Sequence, residues 1–504
     1  MPAVILALLA QVALTRGPYL QQGTPGEIVI VWRTAPATAG WVRWGPAPDQ
    51  LSTEKSSACS GIGQCQHEVR LTGLPPATLH YYSVGYSVLG GGNTTLAGGD
   101  THHRFLTAPA RGSRLPFRLW VLGDSGTGST GQIGARDAML AEAGSRRPDL
   151  LLHMGDIAYT EGTDLQFSSF FFTIYQSILR HTVTWPAMGN HEGVSADSAT
   201  QKGPYYDAFV LPKAGEAGGL PSGTEAYYSF DYANVHFVVL DSHESPRAPD
   251  GAMLRWMKDD LAATDQDWIV AYWHHPPYTK GTHDSDAEGQ LVDMRENALP
   301  ILEAAGVDLV LTGHSHIYER SYLVDGAYDT PTTAAGHIKD GRPDGGYQKR
   351  AGRNAHDGAI YVVAGHGGAG VGRMGTHPLM AITEDRHGSC LVDVDGFEIT
   401  LRNVRADGVV SDVFTLRKPA PPASDGGTPD AGGADGGPPD AGQPDAGAPD
   451  AGAPDAGAAD AGTDPTAPPS SSGCSCGGAA ALFLVGLVLL PRNRRRYPRC
   501  SIGT

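Results

Sequence analysis

Five apolar segments of this 504-residue sequence each end in side chains that can bind a metal ion. The segments RLWVLGDSG, LLLHMGDIAY, TWPAMGNHE, IVAYWHH and DLVLTGHSH supply Asp124, Asp156 with Tyr159, Asn190, His274, and His314 with His316. A buried strand that ends in Gly-Asp is typical of an α/β sheet that delivers a carboxylate to its carboxyl edge. A single Gly-Asp is more often a turn or a helix cap. Its repetition along the chain indicates that these side chains meet in one site.

The number and type of these side chains favour a centre with two metal ions. Four oxygen donors and three imidazoles exceed what one tetrahedral zinc ion binds, and they suit two ions that share a bridging carboxylate. Two ions about 3.5–4 Å apart can acidify a bound water, hold a phosphate oxygen and neutralise the charge of an in-line displacement. The protein need only place the ligands.

The ligands lie within residues 116–417, and this part of the chain must position them. Strands alternate there with helical stretches. The segments GQIGARDAMLAEAGSRRP and GAMLRWMKDDLAATDQ have the apolar spacing of helices. This alternation predicts a layered α/β domain. The late segments GAIYVVAG and SCLVDVDGFEITLRNV are expected to be antiparallel strands. We therefore predict mixed β-sheets in a sandwich flanked by helices.

Residues 17–109 contain short strand patterns separated by glycine and proline turns. This spacing predicts an all-β sandwich of the immunoglobulin or fibronectin type III class, and the segment LTGLPPATLHYYSVG resembles the end of a fibronectin-like domain. No catalytic grouping occurs in it, so we assign it a supporting or substrate-edge role. Cys59 and Cys65 flank a glycine-rich loop, and the sequence leaves open whether they form a disulfide or stay free thiols.

Both ends of the chain have the composition of targeting segments. Residues 1–16 are apolar and predict a secretion signal, with a misassigned start or a buried first strand as the alternatives. Residues 420–472 are rich in Pro, Asp, Ala and Gly and predict a solvated spacer. Residues 473–504 contain SSSGCSCGG, AAALFLVGLVLL and RNRRR, which resembles the myxobacterial C-terminal sorting tag; a hydrophobic tail anchor is the alternative. We expect a secreted or cell-surface protein whose tail is read by sorting machinery or the membrane.

The charge of the chain bears on its partners. The net charge is −17 and no basic stripe occurs in the sequence, which argues against nucleic-acid binding by counterion release. The sequence leaves the oligomeric state open.

The five motifs in their order resemble those of the purple acid phosphatases, within the metallophosphoesterase group. That family has Gly-Asp-x-Gly, Gly-Asp-x-x-Tyr, Gly-Asn-His-Asp/Glu, Val-x-x-His and Gly-His-x-His, and this chain has GDSG, GDIAY, GNHE, AYWH and GHSH. Ala271 departs from the pattern at a position that is not a ligand. The resemblance covers roughly residues 17–417 and implies the fold and the activity of that family.

The resemblance also implies a role for each ligand. It assigns Asp124, Tyr159 and His316 to a ferric ion. It assigns Asn190, His274 and His314 to a divalent iron, zinc or manganese ion, with Asp156 as the bridge. A phenolate and a carboxylate suit the hard trivalent ion, whereas an amide oxygen and imidazoles suit the softer divalent ion.

Three further residues are candidate catalytic residues. The resemblance makes His191, which follows a ligand, a group that binds phosphate or protonates the leaving oxygen, and Glu192 would orient its imidazole. His283 lies where plant-type enzymes carry the first of two histidines, and Asp284 stands at the second position. His283 would bond the phosphoryl group or donate to the leaving oxygen, with a solvated loop histidine as the alternative.

Several polar residues near the motifs are interpreted as structural. His275 alternates to the face of its strand opposite His274, so it should be a hydrogen-bonded structural histidine, and so should His153. His366 follows a strand in a glycine-rich loop and is a weaker candidate for the pocket lining. Glu319 and Arg320 are expected to form an ion pair.

These observations predict a secreted or surface-tethered acid phosphatase that hydrolyses phosphate monoesters by attack of metal-bound hydroxide. A phosphodiesterase or nucleotide pyrophosphatase is the alternative within the same group, because that group shares every ligand except Tyr159. A non-catalytic extracellular binding protein is the alternative of a different class. The complete ligand set argues against it.

Overall fold

The computed structural model describes residues 11–420 except 60–62, 88–91 and 343. The predicted spacer and sorting tag therefore lie outside the described residues, as do the first ten residues of the predicted signal. The strands, in chain order, are β1 (Ala13–Gln21), β2 (Glu27–Ala35), β3 (Gly40–Gly45), β4 (Thr53–Ser57), β5 (Cys65–Thr72), β6 (Leu79–Ser87), β7 (Asn93–Gly98), β8 (Arg104–Leu106), β9 (Phe117–Leu122), β10 (Leu150–His153), β11 (Val183–Pro186), β12 (Tyr228–Tyr232), β13 (Val235–Val239), β14 (Trp268–Tyr272), β15 (Leu309–Thr312), β16 (Tyr318–Ser321), β17 (Leu323–Val324), β18 (Ile338–Asp340), β19 (Gly346–Gln348), β20 (Ile360–Ala364), β21 (Met380–Glu384), β22 (Gly388–Asp395), β23 (Glu398–Arg405) and β24 (Val410–Arg417).

The helices are few and short. They are α1 (Thr130–Ala143), α2 (Asp164–Gln166), α3 (Thr173–Leu179), α4 (Pro204–Ala208), α5 (Ala252–Ala263), α6 (Gly289–Asp293) and α7 (Leu299–Ala305), with π-helical turns at Phe167–Phe172 and Met294–Ala298 and a 3-10 turn at Glu192–Val194. Ser129 begins α1 by accepting a hydrogen bond from the backbone N–H of Gln132. The two helices that the sequence predicts, α1 and α5, are confirmed. No helix among the described residues is long and apolar enough to span a bilayer.

Two mixed sheets form the α/β sandwich that the sequence predicts for residues 116–417. One runs in the order β19-β24-β23-β22-β9-β10-β11-β1-β2-β5, and the other in the order β12-β13-β14-β15-β20-β16-β21. Side chains of β13 alternate between two cores: Phe237 and Val239 join the large core, whereas Val238 packs with α5 and α7 in the second core. Trp185 and Phe230 stack in the large core with ring centroids 4.1 Å apart, which joins the two sheets. This architecture confirms the predicted fold class.

Parallel strands set the position of the site. Strands β9, β10 and β11 are parallel neighbours in one sheet, and β14 and β15 are parallel neighbours in the other. The five motifs follow the carboxyl ends of these five strands. Because the carboxyl ends of parallel strands lie at one edge of a sheet, the motif side chains converge there.

The N-terminal domain is an all-β sandwich, but one of its layers is continuous with a sheet of the α/β domain. Strands β1, β2 and β5 continue the ten-stranded sheet through a parallel pairing of Leu20 with Val183. Strands β4, β3, β6 and β7, with β8 paired to β6, form the other layer. The first strand begins at Ala13, upstream of the boundary at residue 17 that the sequence suggests. Residues 13–16, which fall in the predicted signal segment, therefore belong to a strand.

Three local expectations meet different outcomes. Cys59 and Cys65 form a disulfide with Cα atoms 6.3 Å apart, which resolves the alternative left by the sequence. Strand β20, expected to be antiparallel, pairs parallel with β15 and antiparallel with β16. The predicted ion pair of Glu319 with Arg320 is wrong, because adjacent residues of β16 point to opposite faces of the strand.

Arg320 instead binds Asp412 on β24. Its Nε donates to Asp412 Oδ2 at 2.6 Å and its Nη2 donates to Asp412 Oδ1 at 3.1 Å. This bidentate pair is buried and ties β16 to the last strand of the described chain.

Candidate metal centre

Three donor atoms from different strand ends face one another at the first half of the site. Nε2 of His274 lies 2.9 Å from Oδ1 of Asn190 and 3.2 Å from Nδ1 of His314, and the Asn190 oxygen lies 3.0 Å from that Nδ1. His274 Nδ1 lies 2.8 Å from the carbonyl oxygen of Met154, so it must donate its proton there. The Nε2 lone pair of the neutral imidazole then faces Oδ1 of Asn190, which is also an acceptor, and Nδ1 of His314. This arrangement fits a cation that all three atoms bind.

The second half of the site brings together Asp124, Tyr159 and His316. The hydroxyl of Tyr159 lies 3.3 Å from Oδ1 of Asp124 and 3.2 Å from Nε2 of His316. His316 Nδ1 donates to the carbonyl of Gly370 at 3.2 Å, which leaves its Nε2 lone pair toward the tyrosine. A phenol, a carboxylate and an imidazole thus share one point, as ligands of a hard ion would.

Asp156 spans the two halves. Its Oδ2 accepts a hydrogen bond from the Tyr159 hydroxyl at 3.0 Å, whereas its Oδ1 lies 3.5 Å from Nε2 of His274. One oxygen therefore faces each half, which is the geometry a bridging carboxylate requires. All seven ligands that the sequence suggests are brought together by the fold.

The backbone at these positions is held in a sparsely populated conformation. Asp124, Asp156 and His314 have φ angles of 55°, 53° and 63°, in the left-handed region that residues with a side chain rarely adopt. Gly313, which precedes His314, leaves room for the carboxylate of Asp124. A Cβ at position 313 would lie 2.5 Å from Oδ2 of Asp124. Each turn therefore aims its side chain into the site at a cost in backbone strain.

The electrostatics of the protein alone are unfavourable at this centre. Burial and the neighbouring Asp156 carboxylate raise the pKa of Asp124 well above its usual value. Burial, followed by the charges of Asp124 and Asp156, raises the pKa of Tyr159 as well. Burial also lowers the pKa of His274 far below its usual value, so this imidazole is neutral. Two cations would relieve the repulsion of the carboxylates and would use the neutral imidazoles as ligands.

Glu192 does not orient His191, which corrects the sequence interpretation. Its buried carboxylate accepts four backbone N–H groups, from Asp156 at 2.8 Å, Ile157 at 2.8 Å, Ala158 at 3.0 Å and Gly189 at 3.0 Å. Burial and the Asp156 charge raise the pKa of Glu192 to about 8 against the effect of these donors. Glu192 thus fixes the loops that carry Asp156 and Asn190, and it does not face substrate.

His191 is held by a backbone carbonyl instead. Its Nδ1 lies 2.6 Å from the carbonyl oxygen of Thr160, and its Nε2 lies 3.7 Å from Oδ2 of Asp156. The side chain is 30% exposed. The ring therefore presents Nε2 to the site entrance, where a substrate oxygen would arrive.

His283 lies at the rim of the centre, in contact with a ligand. Its ring centroid is 3.9 Å from that of His314, and its side chain is 31% exposed. Asp284, at the second position of the histidine pair, binds Lys280 rather than the site. The alternative of a fully solvated loop histidine does not describe this packing.

Glu288 is a site residue that the sequence interpretation missed. Its Oε1 accepts from Nδ1 of His283 at 2.9 Å, and its Oε2 lies 3.5 Å from Nε2 of His314. It belongs to no motif and lies outside the strand ends, on the loop before α6. In the sequence only its position five residues after His283 points to Glu288, and this spacing becomes informative only when the loop is known to fold back.

The histidines interpreted as structural differ in how close they lie to the site. His275 bonds Ser242 Oγ through Nδ1 at 2.9 Å, as predicted, but its ring also packs 4.3 Å from that of His314. His153 bonds Ser125 Oγ at 2.9 Å and is buried. His366 is buried against Asn403 at 2.9 Å and lines no site among the described residues.

Comparison with known proteins gives matches over both domains. Residues 99–318 match the family described as calcineurin-like phosphoesterase, and residues 16–95 match the family described as purple acid phosphatase, N-terminal domain. Purple acid phosphatase 15 of Arabidopsis thaliana is 32% identical over 286 residues, which cover 51% of this chain and 50% of that protein. Purple acid phosphatase 18 of the same plant is 26% identical over 341 residues, which cover 65% of this chain and 70% of that protein.

A solved structure supports the fold. The purple acid phosphatase from seeds of yellow lupin (Lupinus luteus) superimposes with a TM-score of 0.65 at 19% identity, covering 80% of this chain and 75% of that chain. This likeness concerns the fold alone. The chain spans about half of the length of the first curated relative. Other Arabidopsis relatives are described as probable inactive purple acid phosphatases, so similarity by itself does not establish activity. Both domains of this chain are thus similar to phosphoesterases.

Proposed function

We propose that this protein is an acid phosphatase that hydrolyses phosphate monoesters at a centre of two metal ions, one of them ferric. The observation that carries the proposal is the convergence of all seven donor side chains, with the Nε2 lone pair of His274 facing the acceptor Oδ1 of Asn190. A protein that had abandoned catalysis would be expected to have lost at least one ligand. The alternative of a non-catalytic binding protein is therefore disfavoured.

In this proposal the residues around the centre have different roles in hydrolysis. Bound ions would supply an acidified water and positive charge for the phosphate oxygens. His191, with Nδ1 bonded to the Thr160 carbonyl, keeps Nε2 available for a phosphate or leaving-group oxygen. His283 is held by Glu288 at the rim of the centre and can offer its other nitrogen to the substrate. Glu192 keeps the ligand loops in register and takes no part in proton transfer.

The identity of the metals follows from the donors in this proposal. The phenol of Tyr159 with the Asp124 carboxylate suits ferric iron, and the amide of Asn190 with two imidazoles suits a divalent iron, zinc or manganese ion. A ferric phenolate absorbs visible light, so the purified protein should be pink to purple. Tyr159→Phe should lose this absorption and keep part of its metal, because six other ligands remain.

One experiment tests the function directly. Metal analysis and a visible spectrum of the purified protein are paired with hydrolysis of p-nitrophenyl phosphate and of bis(p-nitrophenyl) phosphate between pH 4 and pH 9. We expect faster hydrolysis of the monoester, with an acidic optimum. Preference for the diester, with a rate that rises up to pH 9, would instead identify the phosphodiesterase alternative. A colourless, iron-free and active protein would refute the ferric assignment.

We also propose that the protein acts outside the cytoplasm. The disulfide between Cys59 and Cys65 supports this location, because such bonds persist in oxidising compartments. Tethering through residues 473–504 and the absence of a nucleic-acid partner remain proposals from sequence. Fractionation of cells that express the full chain or a chain ending at residue 420 tests the tether: the shorter chain should move from the cell surface to the medium.

A further inference from the structure

Six basic side chains line a cleft between the N-terminal sandwich and the catalytic domain. The cleft consists of two cavities of about 470 and 370 Å³ that share Arg104, Arg147 and His181 as lining residues. The other basic lining residues are His102, Arg146 and Arg180. Arg104 comes from β8, Arg147 precedes β10, and Arg180 and His181 follow α3. Both domains therefore contribute cations to one concave surface.

Three of these arginines have no balancing charge. Among the described residues, Arg104, Arg147 and Arg180 form no ion pair with a carboxylate. Arg104 donates to the carbonyl of Thr101 at 3.2 Å, and Arg147 donates to the carbonyl of Leu140 at 2.7 Å. Nε of Arg180 is buried without a hydrogen-bond partner. Half-buried guanidinium groups without a carboxylate partner leave a net positive charge in the cleft, which attracts anions.

The carboxylates near the cleft are engaged elsewhere. Asp149 lines the first cavity, and its Oδ2 accepts the backbone N–H of Arg118 at 2.8 Å. Asp393 lies 3.7 Å from Arg146 but is bound bidentately by Arg118. Asp100 binds the ring of His103 at 3.0 Å. None of the three neutralises the central arginines.

The positive charges of the arginines also affect the pKa of His181, which lines both cavities. Burial, followed by the charges of Arg104, Arg180 and Arg147, lowers the pKa of His181 to about 4. The imidazole is therefore neutral at physiological pH, and the positive charge of the cleft resides on the guanidinium groups. Guanidinium groups bind phosphate and sulfate through paired N–H donors.

We propose that this cleft binds an oxyanion ligand that carries at least two phosphate or sulfate groups. Three unpaired cations spread over two adjoining cavities match such a ligand better than a single anion. The cleft is also distinct from the metal centre. Arg147 precedes β10 and Asp156 follows it, and a four-residue strand at about 3.3 Å per residue separates the two ends by roughly 13 Å. The ligand would thus bind at the amino ends of the strands, away from the reacting phosphate.

The probe for this site is myo-inositol hexakissulfate, because it carries several sulfate groups and no phosphoester. It is titrated calorimetrically into the full-length protein in low salt. The cleft variant is Arg104→Gln with Arg147→Gln. The control variant is Arg255→Gln with Arg386→Gln, which removes the same charge from two exposed arginines outside the cleft. Asn190→Ala, which removes a metal ligand, reports on binding at the metal centre.

We expect saturable binding to the wild type and at least about tenfold weaker binding to the cleft variant, because two charge-assisted contacts are lost. The control variant and Asn190→Ala should bind like the wild type. The single variant Arg104→Gln provides the same comparison if the double variant does not fold. The proposal is overturned if the wild type shows no saturable binding, if both double variants bind alike, or if only Asn190→Ala loses binding. Because hydrolysis is not measured, this result does not depend on the proposed activity.

Discussion

Oε2 of Glu288 lies 3.5 Å from Nε2 of His314, on the side of that imidazole opposite the nitrogen that faces Asn190. Burial would raise the pKa of Glu288, but the hydrogen bond with His314 and the charge of His283 lower it to about 2. An ionised carboxylate behind a ligand histidine fixes its tautomer and increases its basicity. Glu288 therefore links the candidate proton donor His283 to a candidate metal ligand.

Glu288→Gln should weaken binding of the divalent ion by roughly 10- to 100-fold, the usual effect of losing such a partner. Competition titration of the protein with a fluorescent zinc chelator measures this affinity. Asp284→Asn is the matched control, because Asp284 lies on the same loop but binds Lys280. Equal affinities in the two variants would show that Glu288 does not support His314.

Glu192→Gln should destabilise the centre although it preserves the shape of the side chain. The amide nitrogen would face backbone N–H groups that now donate to a carboxylate, so at least one buried donor loses its acceptor. We expect a loss of about 3 kcal/mol in the free energy of unfolding, together with a lower metal content. Urea unfolding and metal analysis measure the two effects. Glu161→Gln, an exposed change on a neighbouring loop, should have neither effect.

Gly189→Ala should remove metal binding by steric exclusion. A Cβ at this position would lie 2.2 Å from both the backbone nitrogen and Oδ1 of Asp156, so the bridging carboxylate has to move. We expect the iron content and the visible colour to fall to background. Gly289→Ala is the control, since a Cβ there meets no atom within 4 Å. A coloured Gly189→Ala protein with two metals would refute this account of the glycine.

A buried histidine should make stability depend on pH on the alkaline side. Burial disfavours protonated His236, but hydrogen bonds to Asp231 at 2.8 Å and Asp260 at 2.9 Å outweigh it and raise the pKa of His236 to about 9. A raised pKa stabilises the folded state below the unfolded value of about 6.5, and this contribution is lost as the pH rises toward 9. We expect a decrease of about 3 kcal/mol in the free energy of unfolding over this range.

The comparison of wild type with His236→Gln isolates this contribution. Urea unfolding at pH 6 and at pH 9 should give a large difference for the wild type and a much smaller one for the variant. The same pH dependence in both proteins would assign the effect to other groups.

The convergence of the candidate ligands was predictable from the sequence because each lies within six residues of the end of an apolar strand, where local pattern and topology agree. Contacts between loops were not. Three of the four backbone N–H groups that Glu192 accepts belong to a segment more than thirty residues away, and the motif does not show that the carboxylate binds them instead of the ring of His191. Glu288 reaches the site only because its loop folds back over His314. Strand alternation predicted that His275 points away from His274, yet a residue just past the end of β14 is no longer held to that alternation.

The continuity of the ten-stranded sheet was also hidden from sequence. The change in pattern near residue 110 is real, since short β-strands give way there to alternating strands and helices. The ten-stranded sheet nevertheless continues across this domain boundary, because β1 of the N-terminal domain pairs with β11 of the α/β domain. This pairing is long-range and involves ordinary apolar residues. The basic cleft, which depends on the same junction, could not be predicted for that reason.

The last prediction concerns His283 as a proton donor to the leaving group. His283→Ala should lower kcat by roughly ten- to a thousandfold, which overlaps the usual range for general acid catalysis, with a smaller effect on KM. Metal content and colour should be unchanged, because no ligand is lost. The loss should be larger for an alkyl phosphate, whose leaving alkoxide needs a proton, than for p-nitrophenyl phosphate, whose leaving group hardly does.

The chain offers a matched control for this variant. His356 is also bound to a carboxylate, with Nδ1 3.0 Å from Oδ1 of Asp325, but its side chain is 52% exposed and contacts none of the metal ligands. His356→Ala should leave both rates unchanged. Equal losses on the two esters in His283→Ala would eliminate the donor role and leave His283 as a group that packs against His314. Unchanged rates on both would remove it from catalysis altogether.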